Sequence, residues 1–329
     1  MPDVSIQIGS VVQRFQSTSD RSLLDHAIEA GISVNYSCRR GDCGQCIATL
    51  HTGDVAALNP TQPHRVHRDI YLCNTTACSD LELHLPYFPE LADVPTMRSP
   101  TKIHELKLLS ADVVEVVLRL PPAINFRFLP GQFVRLTTKG GLTRSYSLAA
   151  GPDSSKTLRI QVRRVAGGAF SDYLFTDAKP GDLLHLEGPS GHFFLRQSRQ
   201  AKRTLFLATG TGIAPIYGML SAMTEKQRPL LGEIDVYWGN RTQQDEYLAP
   251  ALQALSSKLD FRYWPLHSRQ PENSQWRHVQ DLAASHHVDL AESVAYACGN
   301  PAMIDQARRR CVELGMMLDD FHSDPFTAS

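Results

Sequence analysis

Near the start of the chain, Val4, Ile6 and Ile8 alternate with other residues, Gly9-Ser10 interrupts, and Val11 to Phe15 resumes an extended run. A period of two around a glycine turn predicts a β-hairpin. From Ser22 to Ala30 the apolar residues shift to helical spacing, and Gly31 stands where a helix closes. A strand over Ile47–Leu50, an extended segment Asp69–Leu72, and the alternation of Leu81, Leu83 and Leu85 complete a first unit over residues 1–90. Pro86, Pro89 and Pro95 then resist helix and central strand. The stretch through Pro100 reads as a stiff extended linker, with its core at 91–100.

From Lys102 the pattern turns β-rich, with runs at Ile103–Leu106, Val113–Leu118, Phe133–Leu136, Leu158–Val162 and Leu183–Leu186. Turn signals such as Pro130-Gly131 and Pro180-Gly181 separate them, which predicts a small antiparallel barrel over 101–198. The last third, 199–329, changes period again. An apolar strand Thr204–Ala208 runs into an amphipathic helix through Met223. Strands at Glu233–Trp238, Leu259–Trp264 and Val294–Ala297 alternate with helical stretches, the last over Ala302–Leu314 before Gly315. That alternation predicts a parallel, doubly wound sheet.

The sharpest chemical signal is Cys38-Arg-Arg-Gly-Asp-Cys43-Gly-Gln-Cys46, with a distant Cys73. C-x4-C-x2-C plus one remote cysteine is the ligand spacing of plant-type [2Fe–2S] clusters, which need four thiolates on one small surface. Gly41 and Gly44 allow the loop to fold over the cluster and aim backbone N–H groups at the sulfurs. Zinc sites usually pair two C-x2-C knuckles, and only one is present. Cys78 is a rival fourth ligand.

Three further motifs lie downstream. Arg144-Ser145-Tyr146-Ser147 puts Arg144 and Tyr146 on one strand face. A guanidinium there suits a pyrophosphate, a phenol the flavin–ribityl portion, and the Ser147 hydroxyl the flavin edge. Gly167-Gly168-Ala169-Phe170-Ser171 offers bare N–H groups and the Ser171 hydroxyl to the same diphosphate. Gly210-Thr211-Gly212-Ile213-Ala214-Pro215 follows a strand and opens a helix, with Pro215 suited to its first turn. Cys298-Gly299-Asn300-Pro301 ends a later strand at the same sheet edge, where such folds bind ligands.

These motifs carry a resemblance. The first ninety residues look like the β-grasp fold of plant-type ferredoxins. The later two-thirds resemble the ferredoxin–NADP reductase family, in which R-x-Y-S and G-G-x-x-S hold FAD. The whole chain is similar to NAD(P)H-dependent [2Fe–2S] flavoprotein reductases. The resemblance favours Cys73 over Cys78, because Tyr71-Leu72-Cys73-Asn74-Thr75 precedes Ser79-Asp80-Leu81 as in the family. Cys78 then reads as a small apolar core residue. The resemblance further implies that Ser147 sits at flavin N5, that Cys298 and Gly299 lie beside the nicotinamide, and that Phe326 covers a flavin face. It sets Arg241 and Ser268-Arg269 at the adenosine ribose, and its domain order implies NADH ahead of NADPH.

Within the family, Tyr87–Leu91, Tyr296–Gly299 with Met303-Ile304, and Phe321–Phe326 are similar to the CDP-6-deoxy-Δ3,4-glucoseen reductase group. That group implies a pyridoxamine-phosphate-dependent sugar dehydrase as electron acceptor. Reductases of Rieske or di-iron oxygenases share the architecture and supply the alternative. A zinc-binding interaction module that lacks catalysis is the reading from a different class.

Composition narrows the field. With 42% hydrophobic and 20% charged residues and a net charge of -1, the chain has no bias toward nucleic acid or a membrane surface. No apolar run approaches a membrane span, and no signal peptide is evident. Seven cysteines suit a reducing cytoplasm. Cys311 reads as core, Gly188 to His192 as a barrel turn, and Arg39-Arg40 as a solvated loop.

Overall fold

The computed structural model describes residues 1–326 apart from 33, 37, 42–43, 154, 198–199 and 271–274. The chain divides into two compact units, essentially 1–93 and 94–326.

The first unit is built from β1 (Asp3–Ile8), β2 (Val11–Gln16), α1 (Leu23–Glu29), β3 (Ile47–Thr52), β4 (Val55–Ala57), β5 (Arg65–Val66), β6 (Asp69–Tyr71), β7 (Thr75–Ala77) and β8 (Leu81–Leu85). Its main sheet has the order β2-β1-β8-β3-β6-β5, with β1 and β8 parallel. The alternation of Val4 and Ile6, and of Leu81 and Leu83, buries those four side chains against Leu23, Leu24 and Ala27 of α1. Ser22 caps α1 by accepting from the Asp25 N–H, and Gly31 (φ 75°) follows its end. Helix and sheet together give the expected β-grasp unit. Cys78 departs from expectation. It lies just past the end of β7, whose three residues are all buried, and its thiol is exposed rather than core.

The expected linker is shorter and less extended than the prolines suggest. Pro89–Leu91 form a 3₁₀ turn, and β9 (Met97–Ser110) begins ahead of Lys102. Pro100 is tolerated inside β9 because pairing with β10 (Val113–Arg119) starts only at Lys102.

The rest of the barrel comprises β11 (Phe133–Thr137), β12 (Thr143–Ser147), β13 (Thr157–Arg163), α2 (Ala169–Thr176) and β14 (Leu183–Ser190). Its strand order is β12-β11-β14-β9-β10-β13, and a Leu148–Ile160 bridge joins the two edges. Gly188 to Ser190 belong to β14, so that glycine–proline string extends a strand where a turn was expected.

The remaining elements are β15 (Arg203–Thr209), α3 (Ile213–Ser221), β16 (Glu233–Asn240), α4 (Ala249–Leu259), β17 (Arg262–His267), α5 (Val279–His286), β18 (Ser293–Gly299), α6 (Pro301–Glu313) and β19 (Phe321–Pro325). The five strands are all parallel in the order β17-β16-β15-β18-β19. Residues of α3 and α4 pack on one face with Phe206, Val236 and Tyr296, and residues of α5 and α6 on the other with Leu205, Tyr237 and Ala295. The sheet is therefore doubly wound. α3 is buried nearly all round rather than amphipathic. The strand expected from Leu259 starts later, because Leu252, Leu255 and Leu259 continue the helical period of α4 and Asp260 (φ 53°) closes it. Cys311 is buried, as its place on α6 implied.

Candidate cofactor sites

In the first unit the loop before β3 and the turn after β6 bring three of the four expected thiols together. Cys46 and Cys73 are buried and Cys38 is half-buried. Cys43 lies outside the described residues. The Gly41 N–H donates to Cys73 Sγ at 3.2 Å and the Arg40 N–H to Cys38 Sγ at 3.4 Å. Contact with the Cys46 side chain lowers the Cys73 thiol pKa, and the Gly41 N–H adds to this, against the opposing effect of burial. Gly41 (φ 76°) has no alternative here, since a Cβ would stand 2.2 Å from the Pro63 carbonyl oxygen. Clustered sulfurs facing backbone donors fit a [2Fe–2S] group.

In the second unit, β12 carries Arg144, Tyr146 and Ser147. The Tyr146 ring lies 5.4 Å from Phe170 on α2, which brings R-S-Y-S against G-G-A-F-S. Burial raises the Tyr146 hydroxyl pKa far above its ordinary value, with Arg144 opposing, so it stays protonated. A Cβ on Gly167 (φ 72°) would meet nothing, and Gly168 starts α2 with no side-chain cap. This open helix start fits a diphosphate. The Ser171 hydroxyl turns inward: it accepts from the Val165 N–H at 3.1 Å and donates to the Gly168 carbonyl at 2.8 Å. It shapes the glycine turn.

Ser147 is buried and its hydroxyl lies 3.5 Å from Asp324 Oδ2. Asp324 on β19 is opposite Cys298 on β18. Cys298 has no exposed surface, and burial, then the nearby Asp324, pushes its thiol well above the ordinary range. A neutral thiol, a hydroxyl and a carboxylate thus converge. Asp324 escaped sequence reading, because only the aromatic end of Phe321–Phe326 drew attention.

A cleft of about 520 Å³ opens at the carboxyl ends of β15, β16 and β18. Gly210, Thr211, Gly299, Arg241, Ser268 and Phe326 line it. Gly212, Pro215, Cys298 and Arg269 are not among its walls. Gly212 is a spacer: a Cβ there would stand 2.3 Å from the Cys298 carbonyl oxygen. Pro215 sits buried in the first turn of α3. The seam between strands is stitched three ways. Trp238 Nε1 donates to the Gly210 carbonyl at 2.8 Å, the Asn300 N–H to Thr209 Oγ1 at 2.9 Å, and the Phe326 N–H to the Gly299 carbonyl at 2.8 Å. The cleft also takes Arg163 from the end of β13 and the buried amides Asn240 and Gln280, none of which a local motif marks.

Residues 7–79 match the family described as 2Fe-2S iron-sulfur cluster binding domain, 100–195 the oxidoreductase FAD-binding domain, and 206–309 the oxidoreductase NAD-binding domain. Protein RfbI of Salmonella typhimurium is 34% identical over 96% of this chain and 94% of its own length. CDP-6-deoxy-L-threo-D-glycero-4-hexulose-3-dehydrase reductase of Yersinia pestis is 32% identical over 96% of both chains. Terephthalate 1,2-dioxygenase reductase component 2 of a Comamonas species is 32% identical over 95% of this chain and 94% of its own. Among solved structures, the Amycolatopsis cytochrome P450 reductase GcoB superposes with a TM-score of 0.77 at 25% identity, covering 99% of each chain.

The chain therefore belongs to the iron–sulfur flavoprotein reductases of the ferredoxin–NADP reductase superfamily. It is an NAD(P)H-dependent electron-transfer oxidoreductase with [2Fe–2S], FAD and nicotinamide domains.

Proposed function

We propose that this reductase delivers electrons to the pyridoxamine-phosphate dehydrase of CDP-3,6-dideoxyhexose synthesis. The observation that carries this is full-length similarity to a reductase named for a CDP-hexulose dehydrase. Similarity of the same extent to a terephthalate dioxygenase reductase favours an oxygenase component as the second reading. The domains are proposed as 1–90 for the cluster, 91–96 for the linker, since β9 starts at Met97, 97–198 for FAD and 199–329 for NAD(P)H.

When bound, the nicotinamide, flavin and cluster supply hydride transfer and its conversion to single-electron steps. This chain's residues bind and orient them. Cys38, Cys43, Cys46 and Cys73 hold the irons. Arg144 and the start of α2, with Gly167 and Gly168 shaped by Ser171, hold the FAD diphosphate, and Tyr146 packs on its ribityl portion. Ser147 holds a proton at the flavin edge, with Asp324 accepting from it. Gly210, Thr211 and Gly299 line the nicotinamide path, Gly212 and Pro215 set its backbone, Cys298 packs behind it as a neutral thiol, and Phe326 closes one side. No described helix is long and apolar enough to cross a membrane. Reduced thiols suit a cytoplasmic setting.

The test is the anaerobic visible spectrum before and after one equivalent of NADH or NADPH, followed by reoxidation with purified acceptors. Flavin and iron–sulfur bands that bleach, and recover with the dehydrase but not with a Rieske oxygenase, support the first reading. Recovery only with the oxygenase transfers the conclusion to the second.

A further inference from the structure

The first unit is acidic overall, and most of its arginines are gathered in two segments. Residues 1–93 hold eleven carboxylates, six arginines and no lysine. Arg39 and Arg40 lie in the cysteine loop, and Arg65 and Arg68 in the hairpin formed by β5 and β6. Arg39 is neutralised by Asp25 at 2.7 Å, as Arg21 is by Glu29 at 2.8 Å. Arg65 and Arg68 are exposed and form no ion pair among the described residues. The adjoining carboxylate, Asp69, accepts instead from Thr49 Oγ1 at 2.7 Å.

Backbone contacts hold both arginines at one tip. Val66 pairs with Asp69 across the two-residue turn His67-Arg68, in which His67 takes a left-handed backbone (φ 55°). Arg65 Nε donates at 2.6 Å to the His67 carbonyl, part of the peptide that leads into Arg68. The Leu50 N–H donates to the Arg68 carbonyl at 2.7 Å, which ties the tip to β3. Val66, between the two arginines, is 49% exposed. The base of the hairpin abuts the residues around Cys73. The Asn74 amide, next to Cys73, donates to the Gln62 and Pro63 carbonyls at 3.0 and 3.2 Å. The Pro63 carbonyl also packs on Gly41, whose N–H donates to Cys73 Sγ.

Exposed guanidiniums without counter-charge, set around an apolar side chain, suit a surface that brings carboxylates. An acidic unit as a whole repels a nucleic-acid backbone or an anionic membrane, whereas a folded protein can meet the tip with a local acidic patch. We propose that the β5–β6 hairpin is a docking site for the electron-acceptor protein, whose carboxylates face Arg65 and Arg68 around an apolar contact on Val66. This rests on the reading of the chain as reductase for a protein acceptor, and it adds the docking residues and the chemistry of the partner's surface.

The test uses the full-length holoprotein, reduced anaerobically, with the purified dehydrase, a purified Rieske oxygenase component and uncharged benzoquinone as acceptors. For the protein that reoxidises the cluster, the second-order rate is expected to fall about tenfold in the double variant Arg65→Glu, Arg68→Glu. It should also fall with added salt in the unaltered protein, and stay close to the unaltered rate in Arg65→Lys, Arg68→Lys, which keeps the charge. Benzoquinone should be reduced equally by all three. Iron content and the visible spectrum check that each variant keeps its cluster. Undiminished transfer in the glutamate variant, a salt-independent rate, or an equal loss with benzoquinone overturns the docking site and leaves the partner reading intact. Unchanged transfer with lost binding to duplex DNA or anionic vesicles overturns it too, and assigns the tip to that ligand. Reduction of benzoquinone but of neither protein overturns the partner reading and the docking site together.

Discussion

The Ser147 hydroxyl lies 3.5 Å from the Asp324 carboxylate, although 177 residues separate them in the chain. Ser147 ends a barrel strand and Asp324 lies on the edge strand of the parallel sheet. If the pair governs the proton at the flavin edge, Ser147→Ala slows flavin reduction on the order of a hundredfold. Asp324→Asn keeps the shape and slows it about tenfold, or ~1.4 kcal/mol of barrier. Stopped-flow bleaching of the flavin band reads both, and an unchanged rate in Asp324→Asn would remove that residue from the site.

Cys73→Ser is expected to abolish the iron–sulfur absorbance, while Cys78→Ser leaves it intact. Cys73 is buried with a backbone N–H aimed at its sulfur, and Cys78 is exposed. Iron content and the visible spectrum of each purified variant decide the matter.

Gly212→Ala should destabilise the second unit by about 1–3 kcal/mol, because the new methyl meets backbone that cannot rotate away. The obstacle is the Cys298 carbonyl oxygen, 2.3 Å from the added Cβ. Gly167→Ala meets nothing, so only its left-handed backbone (φ 72°) is penalised, by about 1–2 kcal/mol. Thermal denaturation should rank the first variant below the second.

Acid should weaken the second unit through His287. Burial, then the Arg203 charge, depresses its pKa to about 4, with His286 and Arg262 acting the same way and Asp235 opposing. Tyr237 bonds its ring nitrogen at 3.1 Å. Between about 6.5 and 4 the unfolded chain binds a proton that the folded one does not. Stability therefore falls as pH drops through that window and levels off below it. His287→Gln is expected to flatten this slope in denaturant titrations at stepped pH.

Much of this architecture was legible in local pattern. The period-two run at Val4–Ile8, the β-rich run at Val113–Leu118 and the helical spacing after Ser22 each emerge as the predicted element. What escaped depends on closure over long distances. β19 is short and polar at His322, Ser323 and Asp324, so nothing local marks it as a strand. Its β18 partner supplies the reason. Arg163 and Asn240 come to one cleft from a barrel strand and a sheet strand. Cys78 was misread because residue type suggested burial, while the residue stands past the end of β7 with its thiol exposed.

The Ser147–Asp324 contact also limits modularity. A designer who replaces the nicotinamide sheet with that of another reductase removes β19, and with it the carboxylate facing the barrel serine. The natural crossover point for such chimeras is therefore ahead of the barrel, near Val94, so that barrel and sheet are exchanged as one cassette.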